Sequence, residues 1–189
     1  MRAADSYRTL TTGEAGPGEA LISVPCRVSM VRLEPMNEAE FQEFLKRALP
    51  RYASRKVQRG LWTEEAALEA SQTDLSHFLA QGKETAGHHI CNLRDETTGE
   101  VVGETWFTAS KKGGKTQFWI EWIWVDPQHR RKGYATQALH RLEEEARSLG
   151  ADRLGLNVWM DNPGAIALYS GLGYQTVNMA MIKTVGRTP

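Results

Sequence analysis

Cysteine is scarce: the 189 residues hold two, Cys26 and Cys91, in no metal or redox spacing. A disulfide framework and a cysteine-based zinc site are therefore not expected, and two free thiols in a reducing compartment are. Long apolar runs are missing too, since none reaches the roughly 18 residues that span a bilayer. The opening stretch, M-R-A-A-D-S-Y-R-T-L-T-T-G-E-A-G-P-G-E-A, lacks the apolar centre of a secretory signal. The expectation is a cytoplasmic protein. Net charge is absent as well, with 23 Lys+Arg against 23 Asp+Glu and a pI near 7.0, so no global field recruits nucleic acid, a membrane or an acidic partner. Two phosphate-binding fingerprints are also missing, G-x-x-x-x-G-K-[ST] and G-x-G-x-x-G.

What is present is ordinary globular material, 41% hydrophobic and 24% charged, long enough for one domain with a real core. Residues 1–27 are rich in Gly, Thr, Ala and Pro without periodicity and read as a flexible N-terminal tail, with 28–189 as a single domain. Met30 is a candidate internal start. A strand over Arg27 to Leu33 leads to a helix capped by Asn37, with Phe41, Phe44, Leu45 and Leu49 at helical spacing and Pro50 expected to kink or end it. Thr63 opens a second helix, with Leu68, Leu75 and Phe78 as inward candidates. Strands over His88 to Arg94 and Val101 to Ala109 flank the turn D-E-T-T-G-E. The run Q-F-W-I-E-W-I-W-V, Gln117 to Val125, is apolar on both faces and belongs in the middle of a sheet.

A helix over Gly133 to Leu149 follows, with Ala135, Ala138, Leu139, Leu142 and Ala146 on one face and Gly150 as its stop. The strand Arg153 to Trp159 then meets a short helix with Asn162 as cap and Pro163 at its first position. A last strand is expected over Tyr174 to about Val185. The architecture implied is α+β, a mixed sheet with helices on its faces.

The local anomaly is the cluster His129, Arg130, Arg131, Lys132 followed by Gly133. A basic turn between a strand and a helix offers free backbone N–H groups at a positive helix terminus, which suits a small anion. Gly133 admits close approach, and Ala135 and Thr136 keep the first turn uncrowded. Taken alone, the stretch is equally a solvated basic loop.

Arg130-Arg131-Lys132-Gly133-Tyr134-Ala135, preceded by V-D-P, resembles the [R/Q]-x-x-G-x-[G/A] signature of the GCN5-related N-acetyltransferases. Asn162 to Tyr169 and Gly173-Tyr174 resemble that family's second signature, N-x-x-A-x-x-L-Y followed by G-[F/Y]. The resemblance is clearest from Trp119 to Tyr174 and nearest to uncharacterised bacterial members with a long helical region between the first two strands. It implies a mainly antiparallel sheet splayed at the cofactor site, and acetyl-CoA as co-substrate with no metal. Its pyrophosphate would be held at Arg130, Arg131, Lys132, Gly133, Ala135 and Thr136, its pantetheine arm by the backbone at Ile123 and Val125, and Asn162 and Tyr169 would contact the arm.

The resemblance further implies that Tyr169 protonates the departing thiolate, which is sensible for a phenol of pKa near 10 facing a thiol near 8.5. Glu121, the one carboxylate in its strand, is either a general base or a structural carboxylate paired with a cation. The acceptor is a small-molecule amine or a peptide, bound against residues 38–81, where Arg51, Tyr52 and Trp62 are candidates. Neither signature contains cysteine, which points to direct attack in a ternary complex. A non-catalytic acyl-CoA-binding module is the alternative from another class, and a nucleotide-binding module a third. His88 and His89 point to opposite faces of their strand and make a poor metal pair. The tryptophans 119, 122, 124 and 159 read as core and pocket walls. Homodimerisation is left open.

Overall fold

The computed structural model describes residues 30–183 and 185; the expected tail over 1–27 and Cys26 lie outside them. Five strands form one sheet: β1 (Val31–Pro35), β2 (His88–Asp95), β3 (Val101–Lys112), β4 (Lys115–Val125) and β5 (Ala151–Leu156), in the order β1-β2-β3-β4-β5. Neighbours from β1 to β4 are antiparallel, whereas β4 and β5 are parallel. Parallel neighbours need a crossover, here helix α3 (Tyr134–Ser148). Helices α1 (Glu38–Gln58) and α2 (Glu64–Phe78) lie between β1 and β2, and α4 (Pro163–Gly171) follows β5.

Alternation along the strands loads both faces of the sheet. Ile90 and Trp106 pack with Phe41, Phe44 and Ala48 of α1, while their neighbours Cys91 and Phe107 pack with Leu139, Leu142 and Ala146 of α3. Cys91 is a free thiol, and burial there pushes its pKa up to about 12, which makes it a poor nucleophile. Helix α1 starts at a full capping box, Asn37 Oδ1 accepting from the Glu40 amide at 3.0 Å and Glu40 Oε2 from the Asn37 amide at 2.9 Å. Pro50 does not end α1, which continues to Gln58. The missing N–H costs a helical bond, but buried anchors on both sides, Phe44 and Ala48 before it and Ala53 after it, keep the two halves in place.

Two expectations fail. The inner stripe of α2 is Ala67, Ser71 and Leu75, whereas Leu68 and Phe78 are exposed; positions 67, 71 and 75 share one face at i, i+4, i+8, and small residues there let α2 lie close to α1. The second is the strand expected from Tyr174: no strand is formed over 174–183, and Val177, Met179, Met181 and Ile182 are exposed. Alternating apolar residues make a strand only where a neighbouring edge accepts their backbone groups, and this segment pairs with none.

Strand β4 carries a bulge. Trp106 faces Trp122 but Phe107 faces Ile120, so Glu121 is the extra residue. Before it, Phe118 and Ile120 point to the α3 side; after it, Trp122 lies on the α1 side and Ile123 on the α3 side. Pairing of β4 with β5 stops at the same level, at Ile120 opposite Leu156. The residue opposite Trp119 is Gly155, and a Cβ on it would lie 2.1 Å from the Trp119 ring. Gly155→Val should therefore cost about 1–3 kcal/mol through overpacking, read by urea denaturation, and much less in a Trp119→Leu background. Equal costs in the two backgrounds would show that the indole does not occupy that space.

Candidate active site

Beyond Ile120, β4 continues to Val125 while the chain after Leu156 turns away, and a cavity of about 700 Å³ opens between them. Glu121, Ile123 and Val125 of β4 line one wall, and Asn162 and Tyr169 of α4 line another. The turn before α3 closes one end with Arg130, Arg131, Gly133, Ala135 and Thr136. Lys132 is exposed beside this turn and does not line the cavity.

The turn is shaped for an anion. Arg131 (φ 62°) and Gly133 (φ 85°) are both left-handed, a conformation that lets successive N–H groups converge. Arg131 is held there without the freedom glycine has, a strain typical of functional loops. Among the described residues the amides of Arg131, Lys132, Gly133, Ala135 and Thr136 have no hydrogen-bond acceptor, as expected at a helix start. Arg130 is anchored by donating from Nε to the Val125 carbonyl at 3.0 Å, with its guanidinium 4.5 Å from the Trp124 ring centre. His129 belongs to the structure instead: it is buried, 3.3 Å from Glu100 Oε1, and meets the Tyr134 ring edge-on. The Tyr134 hydroxyl in turn donates to buried Asp95, which also caps the β2–β3 turn through the amides of Thr97 and Thr98.

Glu121 opens onto the cleft and is exposed there, and partial desolvation by the surrounding protein pushes its carboxyl above the usual range. A hydrogen bond from Thr108 Oγ1 at 3.3 Å opposes that shift. No cation among the described residues pairs with Glu121, so the paired structural carboxylate is the less fitting of its two readings. Asn162 caps α4, Oδ1 accepting from the Ala165 amide at 3.3 Å. Tyr169 lies seven residues on, its ring 5.5 Å from that of Tyr174. Burial raises the phenol pKa and the nearby Arg55 charge lowers it, with burial the larger effect. Its hydroxyl makes no hydrogen bond among the described residues.

The α1 side of the cleft is aromatic and cationic. Trp122, Trp124 and Trp159 line it, while Trp119 lies over Gly155. Arginines recur every fourth residue along α1. Arg47 and Arg51 both reach buried Glu104 of β3, at 2.7 and 3.2 Å. Arg51 also stacks 4.1 Å above Trp124, Arg55 lies 5.4 Å from Trp122, and Arg59 lies 4.4 Å from Trp159 while pairing with Asp161 at 2.7 Å. Tyr52 and Trp62 do not line the cleft; they meet edge-on at 5.5 Å, and the Tyr52 hydroxyl donates to Asp74 of α2 at 3.0 Å. Arg55 was not singled out in the sequence, although the i, i+4 arginine spacing was visible there. His88 Nδ1 accepts from Trp106 Nε1 at 3.1 Å and His89 stacks on Phe107, so both imidazoles are used in packing.

An open, mostly antiparallel sheet that splits beside a basic turn defines an acetyltransferase class of fold, and the comparisons agree. The Acetyltransferase (GNAT) family model matches residues 44–174, and the chain belongs to that family. The uncharacterized N-acetyltransferase YdgE of Bacillus subtilis is 33% identical over 151 residues, 80% of this chain and 96% of that protein. The uncharacterized N-acetyltransferase YycN of the same organism is 33% identical over 153 residues, 81% of this chain and 97% of that one. A crystal structure of YycN superposes with a TM-score of 0.78 at 32% identity, over 84% of this chain and all of that chain (100%). The structure of a "putative acetyl transferase" from Pyrococcus furiosus, at 22% identity and TM-score 0.59 over 82% of this chain and 100% of that one, shares the fold.

Glu104 fastens the arginine face of α1 to the sheet, so its loss should be felt throughout. Glu104→Ala leaves two guanidinium groups without their carboxylate and should cost about 2–4 kcal/mol, whereas Arg47→Ala, which spares the Arg51 contact, should cost less than half of that in urea denaturation. Equal costs would mean that Arg47 alone carries the interaction.

Proposed function

We propose that the protein transfers the acetyl group of acetyl-CoA to a primary amine, by direct attack in a ternary complex. The observation that carries this is the array of unpartnered amides and arginines at the turn before α3, opening into the same cleft as Glu121 and Tyr169. The residues fit the co-substrate. The N-terminus of α3 and the left-handed turn offer N–H groups to the pyrophosphate, with Arg130, Arg131 and Lys132 supplying charge. The β4 backbone beyond Ile120, which has no β5 partner, would hydrogen-bond an extended amide-bearing arm at Ile123 and Val125, the Val125 carbonyl also accepting from Arg130, with Asn162 and Tyr169 opposite. When bound, acetyl-CoA supplies an acetyl group activated as a thioester.

Glu121 then accepts a proton from the acceptor's ammonium group, directly or through water. Its raised pKa brings it nearer to that task than an ordinary carboxylate. Because only the ionised form acts, the rate falls as pH drops through that raised value. The free amine forms its bond to the acetyl carbon as the carbon–sulfur bond breaks, Tyr169 delivers its proton to the departing sulfur, and the second nitrogen proton passes, directly or through water, to the Tyr169 phenolate. Burial keeps that proton in place at neutral pH. Reaction in the cytoplasm, with a small amine or peptide rather than nucleic acid or a membrane, and with homodimerisation open, belongs to the same proposal. No described helix is long and apolar enough to cross a membrane.

Titration with acetyl-CoA, CoA and ATP tests the reading at its root. Gly133→Glu places an anion, and a side chain at φ 85°, where phosphate is to sit, so acetyl-CoA affinity by calorimetry should fall at least about tenfold. Unchanged affinity in a folded variant, or a preference for ATP, would remove the assignment. A non-catalytic acyl-CoA-binding module is separated by Tyr169→Phe, which keeps the ring and removes the proton donor. Single-turnover rates should fall by about 10²- to 10⁴-fold while the Kd for acetyl-CoA changes little. A wild-type rate would leave the phenol a packing role only.

A further inference from the structure

Four arginines descend one face of α1, and their charges are not equally answered. Arg47 and Arg51 share Glu104, and Arg59 has Asp161. Arg55 lies between them, half-buried, lining the cleft beside Trp122, and no carboxylate among the described residues lies within ion-pair distance of it. Its neighbours make the deficit worse, for Arg51 and Arg59 repel it and burial strips its water. Asp161 attracts it from a distance but is engaged by Arg59. A guanidinium kept partly out of water, stacked on an indole and left without an anion is costly unless something arrives to pair with it.

Its position says what that is. Arg55 sits against Trp122, the residue next to Glu121, and close enough to Tyr169 to influence its titration. The turn proposed to take phosphate reaches β4 at Trp124, through Arg130, whereas Arg55 lies at Trp122 and acts on Tyr169, so Arg55 serves the acceptor side. An amine that enters the cleft between Glu121 and Tyr169 therefore meets a fixed cation on the Tyr169 side, which would repel a simple alkyl ammonium and attract a molecule carrying its own carboxylate. We propose, resting on the acetyl-transfer reading above, that the acceptor is a free amino acid, its carboxylate bound by Arg55 and its amine directed to Glu121, with its side chain against Trp122 and Trp159. Arg55 provides a two-pronged donor for that carboxylate. The step is the one already described: the acceptor nitrogen bonds to the acetyl carbon, the sulfur leaves with the Tyr169 proton, one ammonium proton goes to Glu121 and the second nitrogen proton restores the Tyr169 phenol.

The test compares matched ligands on the full chain. With CoA present at saturation, N-acetyl-L-phenylalanine should bind at least tenfold more tightly than N-acetyl-L-phenylalaninamide by calorimetry. In Arg55→Gln that ratio should collapse to near one through loss of affinity for the acid. In thiol-release assays the wild type should take phenylalanine in preference to phenethylamine, and Arg55→Gln should raise the KM for phenylalanine at least tenfold with a smaller change in kcat. Arg55→Lys should restore part of that loss. Urea denaturation and acetyl-CoA titration of each variant report separately on folding and on the cofactor end.

A preference for the amide or for phenethylamine, or acetylation confined to peptides lacking a nearby carboxylate, overturns the proposal while leaving acetyl transfer standing. A fall in kcat that is equal for every acceptor also overturns it, because Arg55 would then act on the reacting atoms rather than on the acceptor's carboxylate. Failure to bind acetyl-CoA at all would instead overturn the reading on which it rests.

Discussion

The bulge at Glu121 is the constraint on which the site depends. A strand whose side chains alternate strictly would carry Trp122 and Trp124 to the same face as Phe118 and Ile120, beneath α3. The extra residue reverses that parity, so the tryptophans reach the arginine face of α1 while Ile123 keeps to the α3 side. A bulge also sharpens the local twist, and β4 loses β5 at this level, after Ile120. One inserted residue thus opens the cleft, leaves β4 without a β5 partner along it, walls its α1 side with indoles and sets the one carboxylate of β4 against it. Gly155 serves the same geometry from the other side, because the Trp119 ring crosses the place its Cβ would take.

Charge is distributed with similar economy. A chain with equal numbers of acidic and basic residues has no excess to spend on attraction at long range, so the sign of each region is set by which cations are already answered. Glu104 takes two arginines, Asp161 one, and Glu100 stands beside His129. Among the cations that no described carboxylate answers, Arg130, Arg131 and Arg55 border one cavity. That cavity is thereby lined by cations although the molecule is neutral, and the carboxylate that also lines it, Glu121, is the group that accepts a proton in the proposed reaction.

Much of this was legible in the sequence, for identifiable reasons. The basic turn, Gly133, the Asn162 cap and the placement of Tyr169 two turns further on are local signals, in which residue type and spacing determine backbone conformation within a few positions. The split of the central strands was legible only through family resemblance. Glu121 stood out as the odd residue in its strand, but its bulge did not, because a bulge is a property of two strands in register. That Tyr52 and Trp62 do not line the cleft has a related reason. Tyr52 and Trp62 looked like pocket residues by type, yet Asp74 and the α1–α2 contact claim them, and whether an arginine is free or paired depends on partners such as Glu104, more than 50 positions away (57 from Arg47). Residues 174–183 show the converse: their alternation is that of a strand, but pattern alone supplies no edge to pair with.

The proximity of Arg55 to Tyr169 ties the two ends of the proposed reaction together. With its charge unanswered, Arg55 favours the phenolate and so works against the proton that Tyr169 must keep; burial outweighs it. An acceptor carboxylate seated on Arg55 would cancel much of that field. The phenol would then be held protonated by burial without the opposing cation, and the same carboxylate would reduce the penalty for bringing an ammonium group toward Glu121. Occupation of the acceptor site would therefore set the proton donor and ease arrival of the proton to be removed, so that an acceptor carrying a carboxylate improves the chemistry as well as its own binding. An alkyl ammonium without a carboxylate would leave Arg55 opposing both, and the discrimination between the two kinds of acceptor would appear in the protonation states of the site before any bond to the acetyl carbon is made.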